Sequence, residues 1–168
     1  MGKKLKIAGA PISWGVCEAP GWGHQMGPER VLREMAELGL KATEFGPLGF
    51  LPVEATARAK VLNDLDMHAT GGFFPVLLHD ETHDPLPVVA EELKSYTASG
   101  ATTLVLAADS GKAGYDEKRS ELTPDQWQTV FKNLNDISAL ADSVGVKAVL
   151  HPHVGTIIET HEDVMHVV

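Results

Sequence analysis

The densest group of chemically competent side chains in the sequence is His151-Pro152-His153, followed at a short distance by Glu159. Residues two apart in an extended segment share a face, so both imidazoles can converge on one ligand. Imidazole moves protons near neutral pH and binds divalent metals. Glu159 comes within reach of the pair if Gly155 turns the chain back. The competing structural reading gives one histidine to a backbone carbonyl and leaves the other in solvent. Placement at the end of an expected strand favours function, because α/β proteins bind ligands there.

Other polar residues fall at expected strand ends. Glu44 ends a second strand whose tip should point into the core or its mouth, where a carboxylate without a partner is costly. A function for Glu44 therefore outweighs a capping contact to the next loop. Ser13, Trp14, Glu18, Trp22 and His24 lie in the loop after the first strand, with Trp14, His24 and Glu44 as the substrate-facing candidates. The two tryptophans suit covering a barrel mouth as well as stacking on a substrate. His79-Asp80 and His83-Asp84 look like ligands but read better as a solvated loop, and Asp109 ends the fourth strand. Cys17 has no evident activating base and reads as an inert thiol, and Met26, Met35 and Met67 read as core.

The elements that must position these residues alternate in period. Strands are expected over 6–10, 40–45, 68–74, 102–108 and 146–150, and the fourth is a continuous apolar run of the kind buried on both faces. Pro28 opens a first helix whose stripe is Val31, Leu32, Met35 and Leu38, with Gly39 as its stop. Further helices are expected over about 53–65 and 87–98. Thr123-Pro124-Asp125-Gln126 predicts a capped helix with Val130, Leu134, Ile137, Ala141 and Val144 inward and Gly145 after it. Thr160-His-Glu-Asp163 caps a last helix that runs barely two turns.

The 168 residues suit one domain with a real core. A hydrophobic content of 43% and 22% charged residues describe a globular chain. Fourteen Lys and Arg against 23 Asp and Glu give a net charge of −9, which argues against nucleic acid or an anionic membrane as the main partner. One cysteine allows no internal disulfide, and no apolar run suits a signal or a membrane span. A cytoplasmic protein is expected.

Repeated β-α units imply a parallel sheet. Five strands suit a complete doubly wound domain, whereas a closed barrel has eight strands and typically about 250 residues. Against the doubly wound reading stand the short last helix and a first loop with no phosphate-cradling glycine pattern. The sequence reads as a (β/α)8 barrel cut after its fifth unit, a single partial domain over 1–168.

Residues 9–18 (GAPISWGVCE), 20–24 (PGWGH), 42–47 (ATEFGP), 49–52 (GFLP) and 151–160 (HPHVGTIIET) resemble the inosose dehydratase group. That group belongs to the xylose-isomerase-like superfamily of TIM-barrel sugar isomerases and epimerases. The resemblance implies a divalent-metal lyase, with Mn²⁺ or Co²⁺, that dehydrates 2-keto-myo-inositol through an enediolate in inositol catabolism. A related sugar isomerase or epimerase, and a non-catalytic half-barrel that self-associates through open sheet edges, remain alternatives. By the resemblance a metal-binding Glu stands at the end of strand five, where this sequence has His151. Glu159 is then the preferred carboxylate ligand, His151 a ligand or catalytic group, and His153 an acid or base. The other ligands would come from strands outside these residues, so this chain by itself is expected to be inactive.

Overall fold

The computed structural model describes residues 6–17, 19, 21–112, 119 and 121–168. After a 3-10 turn at Pro11–Trp14, the elements are α1 (Pro28–Glu37), β1 (Ala42–Glu44), α2 (Ala55–Asn63), β2 (His68–Leu77) and α3 (Leu86–Ser99). Then come β3 (Thr103–Asp109), α4 (Pro124–Ser143), β4 (Lys147–Leu150) and α5 (His161–Val167). The sheet order is β1-β2-β3-β4. The residues fall into two compact units, one running to Gly72 and including Ser95–Thr102, the other comprising Phe73–Lys94 and Thr103–Val168.

In the first unit β1 pairs in parallel with the start of β2, Ala42 opposite His68 and Thr43 opposite Ala69, with the register shifting before Glu44 meets Gly71. Pro28 and Gly27 open α1, and Val31, Leu32 and Met35 are fully buried. Leu38, expected on the same stripe, is the C-cap and is 72% exposed. Gly39 follows at φ 82°, the left-handed conformation that ends helices on glycine. Phe45 meets Tyr96 edge to face at 5.1 Å, and the Arg58 guanidinium lies over the Phe45 ring, 4.9 Å from its centroid. The Tyr96 hydroxyl donates to the Gly72 carbonyl at 3.0 Å, giving the buried phenol a partner.

The strand expected over 6–10 contracts to one bridge. Gly9 N–H donates to Ala42 O at 2.8 Å and Glu44 N–H to Gly9 O at 2.9 Å. Ile7 is 67% exposed, so nothing apolar rewards extending the pairing, and strand preference is mostly the packing of side chains. The burial expected of Glu44 is also corrected. Alternation along β1 puts Thr43 fully inside and turns Glu44 out to solvent.

In the second unit β3 and β4 are parallel, with Thr103 opposite Lys147 and Leu106 opposite Leu150. Leu104, Leu106, Ala107 and Ala108 are buried, as expected of a strand covered on both faces. The α4 cap is the one that the sequence predicts. Thr123 accepts from Gln126 N–H, and the Gln126 side chain accepts from Thr123 N–H. Val130, Ile137 and Ala141 are fully buried behind it, while Val144 sits past the helix end and is 45% exposed. The Thr160 and Asp163 side chains form the second capping box, at the start of α5. Strand β2 runs three residues beyond its expected end, through Pro75 to Leu77. Among the described residues no helix is long and apolar enough to cross a membrane.

Candidate functional site

The site is built at the end of β4. His151 N–H donates to Leu106 O at 2.7 Å, which carries the β3–β4 ladder one step past the strand. The chain then leaves the sheet and folds back on itself. Gly155 turns it at φ 76°, His153 N–H donates to Ile158 O at 3.1 Å, and Ile157 N–H donates to Ala108 O at 2.8 Å. Ile157 and Ile158 are buried and anchor the returning segment on β3. The Thr156 hydroxyl, 2.7 Å from His153 O and 2.9 Å from Ile158 O, ties the two sides of the turn together.

The two imidazoles come together as their spacing predicts. Their centroids are 5.6 Å apart, and Phe73 from β2 meets both, edge-on to His151 at 5.7 Å and tilted against His153 at 5.2 Å. His153 Nδ1 lies 2.9 Å from Val154 O. A carbonyl only accepts, so Nδ1 carries a proton, and in the neutral ring the lone pair is on Nε2. That tautomer suits a base or a ligand. His151 is exposed and His153 half-buried.

Gly155 does turn the chain back toward Glu159, but the carboxylate meets backbone. Glu159 Oε2 accepts from Gly155 N–H at 3.2 Å and closes the turn. Catalytic metal ions ordinarily take three protein ligands. Among the described residues no three His, Cys, Asp or Glu side chains are grouped to hold a metal ion. His151 and Glu159 therefore do not by themselves fit Mn²⁺ or Co²⁺.

Behind this turn Asp163 and Arg119 form a clamp. Asp163 Oδ2 accepts from Glu159 N–H at 3.0 Å and Thr160 N–H at 2.7 Å, and it pairs with the Arg119 guanidinium. Arg119 also donates to Ile157 O at 2.6 Å. Burial alone would raise the Asp163 carboxyl, but the bonds from Thr160, Arg119 and Glu159 outweigh it and lower its pKa from 3.8 to about 2.

His79 is the residue that sequence reasoning misplaced. With β2 reaching Leu77, it stands at a strand end, half-buried, and not in the solvated loop. Among the described residues its Nδ1 is a buried polar atom with no hydrogen-bond partner. The signal was the apolar run from Phe73 to Leu78, interrupted only by Pro75. Asp80 remains a loop residue, its Oδ1 taken by Thr82 N–H at 2.8 Å and the Thr82 hydroxyl at 2.7 Å.

The other three candidates belong to the first unit. Trp14 is half-buried and its indole N–H donates to Glu34 Oε2 at 2.9 Å, pinning the first loop to α1. Arg30 and then Trp14 hold the Glu34 carboxyl below its usual range. His24 is exposed, with its backbone N–H on Gly15 O at 2.9 Å, and Glu44 is exposed at the end of β1. Trp22 is 64% exposed, and Glu18 lies outside the described residues. The same unit has a cavity of about 500 Å³ whose lining includes Val16, Cys17, Met26, Pro47 and Phe50. Cys17 Sγ accepts from Ala19 N–H at 3.3 Å, and no base stands against it among the described contacts.

No protein-family model matches the chain. It is 31% identical to an inosose dehydratase of Geobacillus kaustophilus over 174 residues, covering 95% of this chain and 54% of that protein. The chain thus spans about half the length of the curated relatives it matches. Among solved structures it superposes on an L-ribulose 3-epimerase with a TM-score of 0.65 at 15% identity, covering 98% of this chain and 56% of that one. It superposes likewise on a xylose-isomerase-like TIM-barrel protein from Mycobacterium smegmatis in complex with magnesium, with a TM-score of 0.64 at 16% identity, covering 96% and 60%. The fold is thus part of a TIM barrel, and the doubly wound alternative is set aside.

Proposed function

We propose, for a chain that is a relative of the inosose dehydratases and shares part of their length, that it supplies one side of a site converting a cyclic polyol ketone. The observation that carries this reading is the pair of imidazoles at the end of β4, 5.6 Å apart on a folded-back turn. In the dehydration, a proton leaves the carbon next to the carbonyl, and the hydroxyl on the neighbouring carbon departs as water after gaining a proton. His153, with its lone pair on Nε2, suits the first transfer, and His151 the delivery of a proton to the leaving oxygen. Phe73 offers an apolar face beside both rings. Trp14, His24 and Glu44 are the substrate-binding candidates of the first unit.

A need for a divalent ion, Mn²⁺ or Co²⁺, belongs to a completed barrel, since the described residues do not make such a site. This chain alone is accordingly inactive in our reading. Self-association is part of the same proposal. Ala148, Val149 and Leu150 of β4 are only half-buried, and an unpaired strand edge is a pairing surface. A cytoplasmic setting accords with the single cysteine.

The test is to titrate the chain with 2-keto-myo-inositol while following the imidazole resonances of His151 and His153 and looking for the diketone product. Selective shifts at both rings without turnover are expected, and His153→Ala should remove them. Shifts absent from both rings at millimolar ketone would sink the assignment. Product formed by a monomer would sink the inactivity.

A further inference from the structure

We infer that α5 is a brace for the turn that carries the two imidazoles, and that Arg119 at one end of it and His166 at the other are positioning residues for His153. That His153 moves a proton rests on the proposed function, whereas its placement by α5 does not.

A helix of seven residues does not persist on its own hydrogen bonds, since isolated helices below about 12–15 residues are marginal in water. None of the α5 residues is fully buried, and Val164 and Val167 are covered only in part. The place of the helix is therefore set at its two ends. At the first, Asp163 Oδ2 gathers the N–H groups of Glu159 and Thr160, where the turn runs into the helix, and the Thr160 hydroxyl. The Arg119 guanidinium spans from that oxygen to Ile157 O, one residue before the carbonyl that His153 N–H meets. Turn and helix start are thus one hydrogen-bonded body.

The second anchor is aromatic. Trp127 and Phe131, one helical turn apart on α4, stack at 6.0 Å with an interplanar angle of 27°. The His166 ring, in the last turn of α5, meets Trp127 edge to face at 4.6 Å and lies tilted against Phe131 at 5.4 Å. Such contacts exceed plain burial of area, because ring edges are positive and ring faces negative. From Thr160 to His166 the helix rises about 9 Å, so fixing its far end fixes the direction of its first turn. Without that anchor the short helix frays, Asp163 loses its fixed direction, and the turn relaxes. His153 then loses the geometry in which Nδ1–H reaches Val154 O. All of these residues belong to the second unit.

The test compares the ¹⁵N-labelled chain with His166→Ala, Arg119→Met and Arg119→Lys. In His166→Ala, hydrogen exchange at the His153 amide should quicken about three- to tenfold, the factor that one aromatic contact is worth, and the Nδ1–H form of its ring should give way in part to Nε2–H. In Arg119→Met, the displacement of the His166 ring protons by the ring currents of Trp127 and Phe131 should shrink. Arg119→Lys can still pair with Asp163 and should keep most of that displacement. Exchange at the β3 and β4 amides should stay at the wild-type rate in all three variants. A His153 ring and amide that do not respond to His166→Ala overturn the brace, as do His166 protons that do not respond to Arg119→Met. Exchange quickened equally across β3 and β4 would mean a general loss of stability, and it overturns the positioning role. No ketone enters these measurements, so the proposed function stands or falls on its own titration.

Discussion

Replacing Asp163 by Asn removes the charge from the carboxylate oxygen that holds the turn behind the two candidate histidines, His151 and His153. Oδ2 accepts from Thr160 N–H, Glu159 N–H and the Thr160 hydroxyl at 2.7, 3.0 and 2.9 Å, besides its pairing with Arg119. The Asp163 side chain is only 13% exposed, so solvent screens these bonds little. Its carboxyl is lowered from 3.8 to about 2 in the folded chain. A lowering of that size is on the order of 2 kcal/mol of stability from the ionised form. Because the folded value is the depressed one, that stability is fully present above the unfolded value and is lost as pH falls through 3.8 toward 2. Urea unfolding of wild type and Asp163→Asn at pH 7, 5, 4 and 3 should therefore show a gap of about 2 kcal/mol at pH 7 that narrows to roughly half by pH 3. Amide exchange at Glu159 and Thr160, whose N–H groups meet this oxygen, should quicken in the variant at pH 7. No gap at pH 7, or one equally wide at pH 3, would refute the reasoning.

Three further substitutions test the supports of the site and of the first loop. Asn133→Ala leaves the buried Leu78 carbonyl without its donor and should cost about 1–3 kcal/mol in urea unfolding, with the His79 resonances displaced as well. Gly23→Ala would place a Cβ 1.8 Å from Gly15 O at a backbone φ of +66°, so the loop must rearrange; a changed tryptophan emission from Trp14 and Trp22 should report it. Thr123→Ala removes one half of the α4 capping box and should lower stability by about 1 kcal/mol, with Thr123→Ser restoring most of it.

What could be read from the sequence was whatever local chemistry decides. Both capping boxes rest on side chains three residues apart, and the structure forms each of them. The convergence of His151 and His153 needs only an extended backbone and a spacing of two. Where distant partners decide, the sequence was a poorer guide. Ile7 is a strand-forming residue, but a strand needs a neighbour to cover it, and among the described residues of this segment only Gly9 pairs. Trp14 carried no mark of its bond to Glu34, twenty positions away.

Pro75 shows how such an error spreads into the site. Proline lacks the N–H that a ladder uses, which makes it a natural place to end an expected strand. Burial overrides it, since Val76 and Leu78 are both inside and hold the backbone extended. Moving the end of β2 from Phe74 to Leu77 moves His79 from a solvated loop to the strand end, and its half-burial follows from that shift. The same reasoning separates the two kinds of acidic residue near the site. Asp80, Asp109 and Glu159 each spend an oxygen on a nearby backbone N–H, in turns that a short sequence window can specify. Asp163 reaches across the chain to Arg119, a pairing forty-four residues apart that only the folded chain brings about. The arrangement at the end of β4 thus depends on local spacing for its histidines and on a long-range ion pair for the turn that holds them.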